Sequence, residues 1–402
     1  MGANGRPSSD ITVMKIRRGY ATLGYELLVP DDVLRLSRQE LMRIAAGVTR
    51  ILDEVYRRRL DLSEERARQL ADAVTSGHVL LFVLLDSDRL VVATTAFTQV
   101  EQVFPDSRIS SYEAGRAAKR PSAPPRLAAE LFRASFIWAA VNLPEIDYLV
   151  AHARVACAET GRPFNGGMLG RLIGQRFIPA QAVYSNYVGQ TAAEPFIWTC
   201  FPVNQESWRK CVHHQTIHLP DNTMSQMLGT MLQESFDVQV LYTEPKPDYA
   251  PVFDSEIREL AGPSQAAESL YVLSSRPMPS RKMVLQIPSI TSTNGTLASG
   301  GLSDRIIVEE DITSQADSAH TLTLLGQQGF DLAGWTPSSL RYGRIALVLT
   351  RPGTVPAESI TVALADLRAL NCLPAAERFL TRVLSRHPLP RVGSTRGQES
   401  QD

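Results

Sequence analysis

The stretch Tyr112-Glu113-Ala114-Gly115-Arg116-Ala117 sets a carboxylate three residues before a guanidinium in a segment with strand character. A carboxylate can take the proton of an ammonium nucleophile, directly or through one water. A guanidinium can pair with that carboxylate, or hold a substrate carboxylate through two parallel hydrogen bonds. Alternation along a strand puts Glu113 and Gly115 on one face and Ala114 and Arg116 on the other, so only a bulge brings Glu113 and Arg116 together. Further on, Asp147, His152 and Arg154 occupy one largely apolar run. His152 and Arg154 share a face there and Asp147 takes the other. His152 has the ring whose ordinary pKa suits acid or base work near neutrality, and Arg154 is a second candidate for holding substrate. The plain alternatives are an exposed ion pair and a hydrogen-bonded rim histidine.

Lys119, Arg120 and Arg126 crowd a turn that Pro121, Pro124 and Pro125 keep out of both strand and helix. An apolar helical stripe starts at Arg126, and the unpaired amides and dipole of a helix start favour an anion. The turn suits a phosphate or another anion; otherwise it is a solvated basic turn. Gly161-Arg162-Pro163-Phe164-Asn165-Gly166-Gly167 is a second candidate phosphate loop, opening a helix at Met168. In Cys211-Val212-His213-His214-Gln215-Thr216-Ile217-His218, His214 and His218 would face one metal if the segment were a helix. Its residues favour a strand, and it lacks the glutamate of a His-Glu-x-x-His helix, so a strand-edge role is expected and no metal.

These groups need elements to hold them. Ser37 opens a helix near Gln39 with Leu41, Ile44, Val48 and Ile51 on one stripe, and Ser63-Glu64-Glu65-Arg66 opens a second, reaching Val74. Residues 78–85 and 89–99, turned by Asp86-Ser87-Asp88, read as an antiparallel hairpin. A strand at 111–119, an apolar helix at 126–142, a strand at 146–156, a helix at 168–177 and a strand at 180–188 follow. Residues 11–29 read as a short strand and a loop. One more strand is expected around Phe196 and Trp198, then a helix at 224–236 and a strand at 238–242. Beyond a proline-rich linker at 243–269, strands are expected at 270–273, 282–287, 305–309, 332–334 and 344–350. A helix at 318–328 should end at Gly329 with Phe330 buried, and helices at 359–370 and 375–385 should close the chain. Residues 1–10 and 389–402 read as disordered tails. Mixed order of this kind predicts α/β (α+β) architecture, with helices flanking a mixed, mostly antiparallel sheet.

Composition narrows the function classes. At about 150 residues per domain, 402 residues make two or three domains. Lys+Arg is 41 against Asp+Glu 42, which disfavours bulk electrostatic binding of nucleic acid. The apolar runs, such as 79–85, fall short of the roughly 20 residues that span a bilayer, so no membrane partner is expected. The opening MGANGRPSSD has no apolar core of a leader, and Arg6 stands where myristoylation wants Ser or Thr. Cys157, Cys200, Cys211 and Cys372 form no CxxC pair and read as reduced thiols of a cytoplasmic protein.

The element order over residues 40–188 resembles the GNAT acyltransferase superfamily, nearest to acyl-homoserine-lactone synthases and N-acyl amino acid synthases with their Glu and Arg on one strand. Gly174-Gln175-Arg176-Phe177-Ile178-Pro179 is similar to the family's Gly-Phe-x-Pro turn with two residues inserted. Gly326-Gln327-Gln328-Gly329-Phe330 matches that turn better, which suggests a second, degenerate GNAT-like unit at 270–388 behind a first at 11–242. The resemblance implies transfer of an acyl group from a CoA or carrier-protein thioester, a co-substrate rather than a resident cofactor, to a small-molecule amine. It implies a tyrosine that protonates the departing thiolate, here Tyr184 or Tyr187. The family's glycine-rich acyl-CoA loop is missing: its place reads Lys119-Arg120-Pro121-Ser122-Ala123-Pro124-Pro125-Arg126. A non-catalytic GNAT-like binding module is therefore the alternative.

Overall fold

The structure, a computed structural model, describes residues 7–56, 63–100, 108–143, 145–154, 168–185, 194–244, 256–257, 268–274, 283–284, 303–327, 329–351, 361, 363–365 and 367–386. Packing divides the chain into two units, residues 1–152 with 199–208, and residues 153–198 with 209–402. The boundaries at 242 and 270 followed order along the chain. Packing instead groups residues 153–198 with the C-terminal strands.

The first unit runs α1 (Pro7–Ala21), β1 (Glu26–Leu28), α2 (Pro30–Leu34), α3 (Arg38–Tyr56), α4 (Ser63–Thr75), β2 (Val79–Leu85), β3 (Val91–Gln99), β4 (Ser111–Lys119), α5 (Leu127–Asn142) and β5 (Tyr148–Arg154). Its strands lie in the order β1-β2-β3-β4-β5. The first four are antiparallel, and β5 is parallel to β4. Residues 199–202 also belong to this unit, and Thr199 Oγ1 donates to the Ala151 carbonyl at 3.1 Å. Strand β2 is apolar throughout because both its faces are covered. Val79, Leu81, Val83 and Leu85 share one core with α3 and α4. Phe82, on the other face, meets Trp138 of α5 edge-on at 5.3 Å and Phe97 at 5.6 Å.

The helix starts follow the sequence signals. Ser37 accepts from the Glu40 amide at 3.2 Å and donates to the Glu40 carboxylate, a reciprocal cap on α3. Asp53 of α3 is buried and clamps α4, accepting from Arg66 at 2.6 Å and from the Ser63 hydroxyl. The N-terminal expectation needs correction. Helix α1 spans Pro7–Ala21, where a tail to residue 10 and a strand-and-loop at 11–29 were expected, and only Glu26–Leu28 is extended. The β-branched run Ile11-Thr12-Val13 misled. Pro7 in the first turn and Arg18 in the last are the signals that mark the ends of this helix.

The chain continues through α6 (Met168–Gly174), β6 (Ile178–Ser185), β7 (Glu194–Pro202), α7 (Gln205–His213), β8 (Thr216–Pro220), α8 (Thr223–Phe236), β9 (Gln239–Thr243), β10 (Glu256–Ile257), β11 (Glu268–Leu273), β12 (Met283–Val284), β13 (Ser303–Val308), α9 (Glu310–Thr313), α10 (Ser318–Gln327), β14 (Asp331–Pro337), β15 (Ile345–Arg351) and α11 (Pro374–Ser385). In the second unit β6, β14, β15, β13 and β11 lie side by side, antiparallel except for β13 and β11. Strands β8 and β9 form a separate parallel pair, and β10 pairs with β12. The mixed, mostly antiparallel α/β class predicted from element order is what the structure shows. The expected linker holds β10 and the start of β11; of the helix expected at 359–370, residues 361 and 363–365 are helical and residues 367–370 form a 3-10 turn. The tail at 389–402 lies outside the described residues.

Two turns of the second unit are built alike. The Phe330 amide donates to the Leu325 carbonyl at 3.1 Å, with Gly329 at φ 86° between helix and strand. The Phe177 amide donates to the Leu172 carbonyl at 3.0 Å, with Arg176 at φ 67°. Both phenylalanines are buried. The left-handed residue of the first turn is therefore Arg176, not Gly174, which accounts for the two residues inserted there. The strands that leave these turns, β6 and β14, meet at Gly334 and Gln181. A Cβ on Gly334 would stand 2.1 Å from the Ala180 carbonyl oxygen, so only glycine permits this approach. Buried Gln215 caps the end of β15, donating to the Ile345 carbonyl and accepting from its amide, both at 2.8 Å.

Glu309, fully buried after β13, accepts from the Ser338 hydroxyl at 2.7 Å and the Ser339 amide at 3.1 Å. Burial pushes its pKa from 4.5 up to about 7, outweighing the hydrogen bonds that lower it. Between those values the folded chain holds a proton that the unfolded chain lacks. Stability from this group is thus complete below about pH 4.5 and is lost as pH rises through 7, roughly 3 kcal/mol in all. Urea unfolding at pH 5 and pH 7.5 should show this fall in the wild type and a much smaller one in Glu309→Gln. An equal fall in both proteins would assign the pH dependence elsewhere.

Candidate active site

Register explains how the first unit gathers its chemistry. Glu113 pairs with Val150, and paired residues of parallel strands point to the same side. His152, two residues past Val150, shares that side. The Glu113 Oε1 to His152 Nδ1 distance is 3.4 Å, with the Glu113 side chain 40% and the His152 side chain 20% exposed. The contact is an ion pair when the imidazole carries a proton. Gly115 makes room for the carboxylate: a Cβ there would lie 3.3 Å from Glu113 Oε1.

The β4–β5 ladder runs over four residue pairs, from Ser111 with Tyr148 to Ala114 with Ala151, while β4 itself continues to Lys119. Immediately past the last pair β4 bulges. Thr94 pairs with Ala118 and Ala96 with Gly115, so Arg116 and Ala117 together face Thr95. Arg116 takes φ 53°, a left-handed conformation uncommon for a residue with a side chain, and Thr95 Oγ1 donates to the Gly115 carbonyl at 3.1 Å. β4 thus carries a bulge at Arg116 and Ala117, just past the last β4–β5 pair.

The basic turn is less open than its composition suggests. The Lys119 ammonium donates to the carbonyls of Ala123 at 2.8 Å and Arg120 at 3.2 Å, tying the loop to itself. Arg120 faces Asp86 at 3.7 Å. Arg126 is the exposed residue at the start of α5, without a side-chain capping bond.

Other sequence candidates fall elsewhere. Asp147 precedes β5, where it accepts from the Ser110 amide at 2.8 Å, and burial raises its pKa despite that bond. Arg154 ends β5 and Tyr184 lies on β6, both in the second unit with side chains outside the described residues. Tyr187 and the loop Gly161–Gly167 lie outside the described residues altogether. The histidine cluster is divided between elements, His213 ending α7 beside the Asp237 carboxylate at 3.2 Å and His218 on β8. Among the described residues no three His, Cys, Asp or Glu side chains gather as a metal site. Nor is any helix there long and apolar enough to cross a membrane.

Reading the sequence missed α7 and three arginines of α3 and the β2–β3 turn. Helix α7 was legible: Asn204 Oδ1 accepts from the Ser207 amide at 3.1 Å, and Trp208 and Val212, four apart, are buried. Arg43, Arg50 and Arg89 each read singly as a solvated charge, and only the fold brings them to one cleft.

No family model matches this sequence, and no curated protein matches it. Solved structures resemble part of it. The ribosomal-protein-S5-alanine acetyltransferase from Vibrio fischeri is 12% identical with a TM-score of 0.33, over 45% of this chain and 94% of its own. An N-acetyltransferase from Staphylococcus aureus Mu50 is 11% identical with a TM-score of 0.34, over 45% of this chain and 99% of its own. An acetyltransferase of the GNAT family from Streptococcus pneumoniae is 13% identical with a TM-score of 0.30, over 44% and 99%. The likeness covers less than half of the chain and brings no residue role with it.

Proposed function

We propose that this protein is an acyltransferase, moving an acyl group from a CoA or carrier-protein thioester to the amine of a small molecule. The observation that carries the proposal is the Glu113–His152 pair, set beside a β4 bulge just where the β4–β5 ladder ends. An ammonium acceptor loses its proton to Glu113, with His152 as the neighbour that shares the charge. The neutral amine attacks the thioester carbonyl, a C–N bond forms, and charge on the carbonyl oxygen is met by backbone amide at the end of the ladder. The C–S bond then breaks, the acylated nitrogen gives up its second proton, and the thiolate takes up one. Arg116 holds an acidic group of the acceptor. Tyr184 stays the family-type candidate for protonating the thiolate, and Arg154 for holding substrate.

The donor phosphates are assigned to the turn at Lys119, Arg120 and Arg126, with Arg126 as its exposed cation. Arg126→Ala should weaken CoA binding several-fold in calorimetry. Unchanged affinity would move the donor to another loop, with 161–167 the first candidate. One observation favours the second reading, a binding module without catalysis: the Lys119 ammonium is spent on carbonyls of its own loop, which also lacks glycine. A module of that kind would bind a ligand and release no thiol.

A further inference from the structure

Arginines from three parts of the first unit line one cleft of about 600 Å³: Arg43 and Arg50, two turns apart on α3, Arg89 in the β2–β3 turn, and Arg120 after β4. Ile51 and Leu90 line it as well, and Leu90 is 46% exposed, an apolar surface open to solvent among positive charges. Neither Glu113 nor His152 lines this cleft.

Three of the arginines face carboxylates: Arg50 meets Glu54 at 3.2 Å, Arg89 meets Glu26 at 3.1 Å and Arg120 meets Asp86 at 3.7 Å. The first two pairs are exposed and weak, so an arriving anion can draw those guanidiniums over at little cost. Arg43 has no ion-pair partner among the described residues, which leaves the lining with a positive excess. Arg89 adds an independent sign. It takes φ 58°, held by its own amide to the Asp86 carbonyl at 2.9 Å and by the Leu90 amide to the Asp86 carboxylate at 2.8 Å. Glycine or asparagine would occupy that position with less strain. An arginine kept in a strained turn, beside three others and an exposed leucine, marks a recognition surface.

We propose that this cleft binds an organic phosphate of about nucleotide size, its phosphoryl group held by the arginines and its apolar body resting on Leu90. Guanidinium forks match phosphate oxygens in pairs. One fork saturates a carboxylate, whereas the three terminal oxygens of a phosphate engage forks from several elements. The volume falls in the range of small-molecule sites. The cleft shares Arg120 with the turn assigned to the donor phosphates, so the test changes only Arg43 and Arg50, which the acyl-transfer reading does not use.

The test is calorimetric titration of the full chain at low salt with adenosine 5′-monophosphate, phenyl phosphate, inorganic phosphate and adenosine. Both organic phosphates should bind, more tightly than inorganic phosphate, and adenosine should not. The double substitution Arg43→Gln with Arg50→Gln should weaken both at least tenfold without moving the melting temperature, since both side chains are exposed. The same pair changed to Lys should keep part of the affinity, because charge remains and the fork is lost. Absence of binding by the organic phosphates, binding that survives the Gln pair unchanged, or equal affinity for inorganic phosphate would each overturn the proposal. Amine-dependent thiol release by the wild type, measured apart, reports on acyl transfer alone.

Discussion

Glu113→Gln should leave the fold intact and cut turnover about 100-fold or more, the usual size of a lost general base. Glutamine keeps the shape of the side chain beside Gly115 and His152 but cannot take the proton of an ammonium group. The acidic limb of the rate profile should disappear with it, because that limb reports the essential base. An Arg116→Ala variant separates roles. If Glu113→Gln turns over near the wild-type rate while Arg116→Ala fails, this strand holds substrate and the base lies elsewhere. Circular dichroism and melting of both variants guard against loss of fold, and neither should change by more than a small margin, since Glu113 is partly exposed.

Asp53→Ala should destabilise the first unit by about 3–5 kcal/mol, the cost of stranding the other half of a buried pair. The Arg66 side chain is only 11% exposed and its 2.6 Å contact with Asp53 supplies its counter-charge. Ser63, the first residue of α4, would lose its acceptor at the same time. Replacing both partners at once, Asp53→Leu with Arg66→Met, should recover most of the loss, because no charge is then left buried. Denaturant unfolding measures both. A single-variant cost below about 1 kcal/mol would show the pair to be as weak as an exposed one.

How much of this was legible depends on the range of the interaction concerned. Gly329 after an apolar helix and Phe330 beyond it is a local signal, and the helix ends there as the residues dictate. The hairpin of β2 and β3 and the crossing helix α5 are local in the same sense. The Glu113–His152 contact is not local. Both residues were singled out by type, but their meeting depends on the parallel register of β4 on β5, which alternation along either strand leaves undetermined. The bulge at Arg116 was recognised as a requirement, not as a fact, since a left-handed arginine leaves no signature in composition. Helix α1 was missed because three β-branched residues in a row outweigh, on propensity, a proline and charges at the ends. The arginine cleft was invisible for the opposite reason: each residue is ordinary, and only the fold collects them.

The central claim is that a thioester is consumed and an amine is acylated. The direct measurement follows free thiol released from acyl-CoA and from an acyl-carrier thioester, with and without a panel of small amines, together with the mass of the amine product. The account predicts thiol release that depends on an amine, one acylated amine per thiol, lost in Glu113→Gln. Thiol release equal with and without amine, or none with any amine while a ligand still binds, would contradict acyl transfer and leave the binding module in its place.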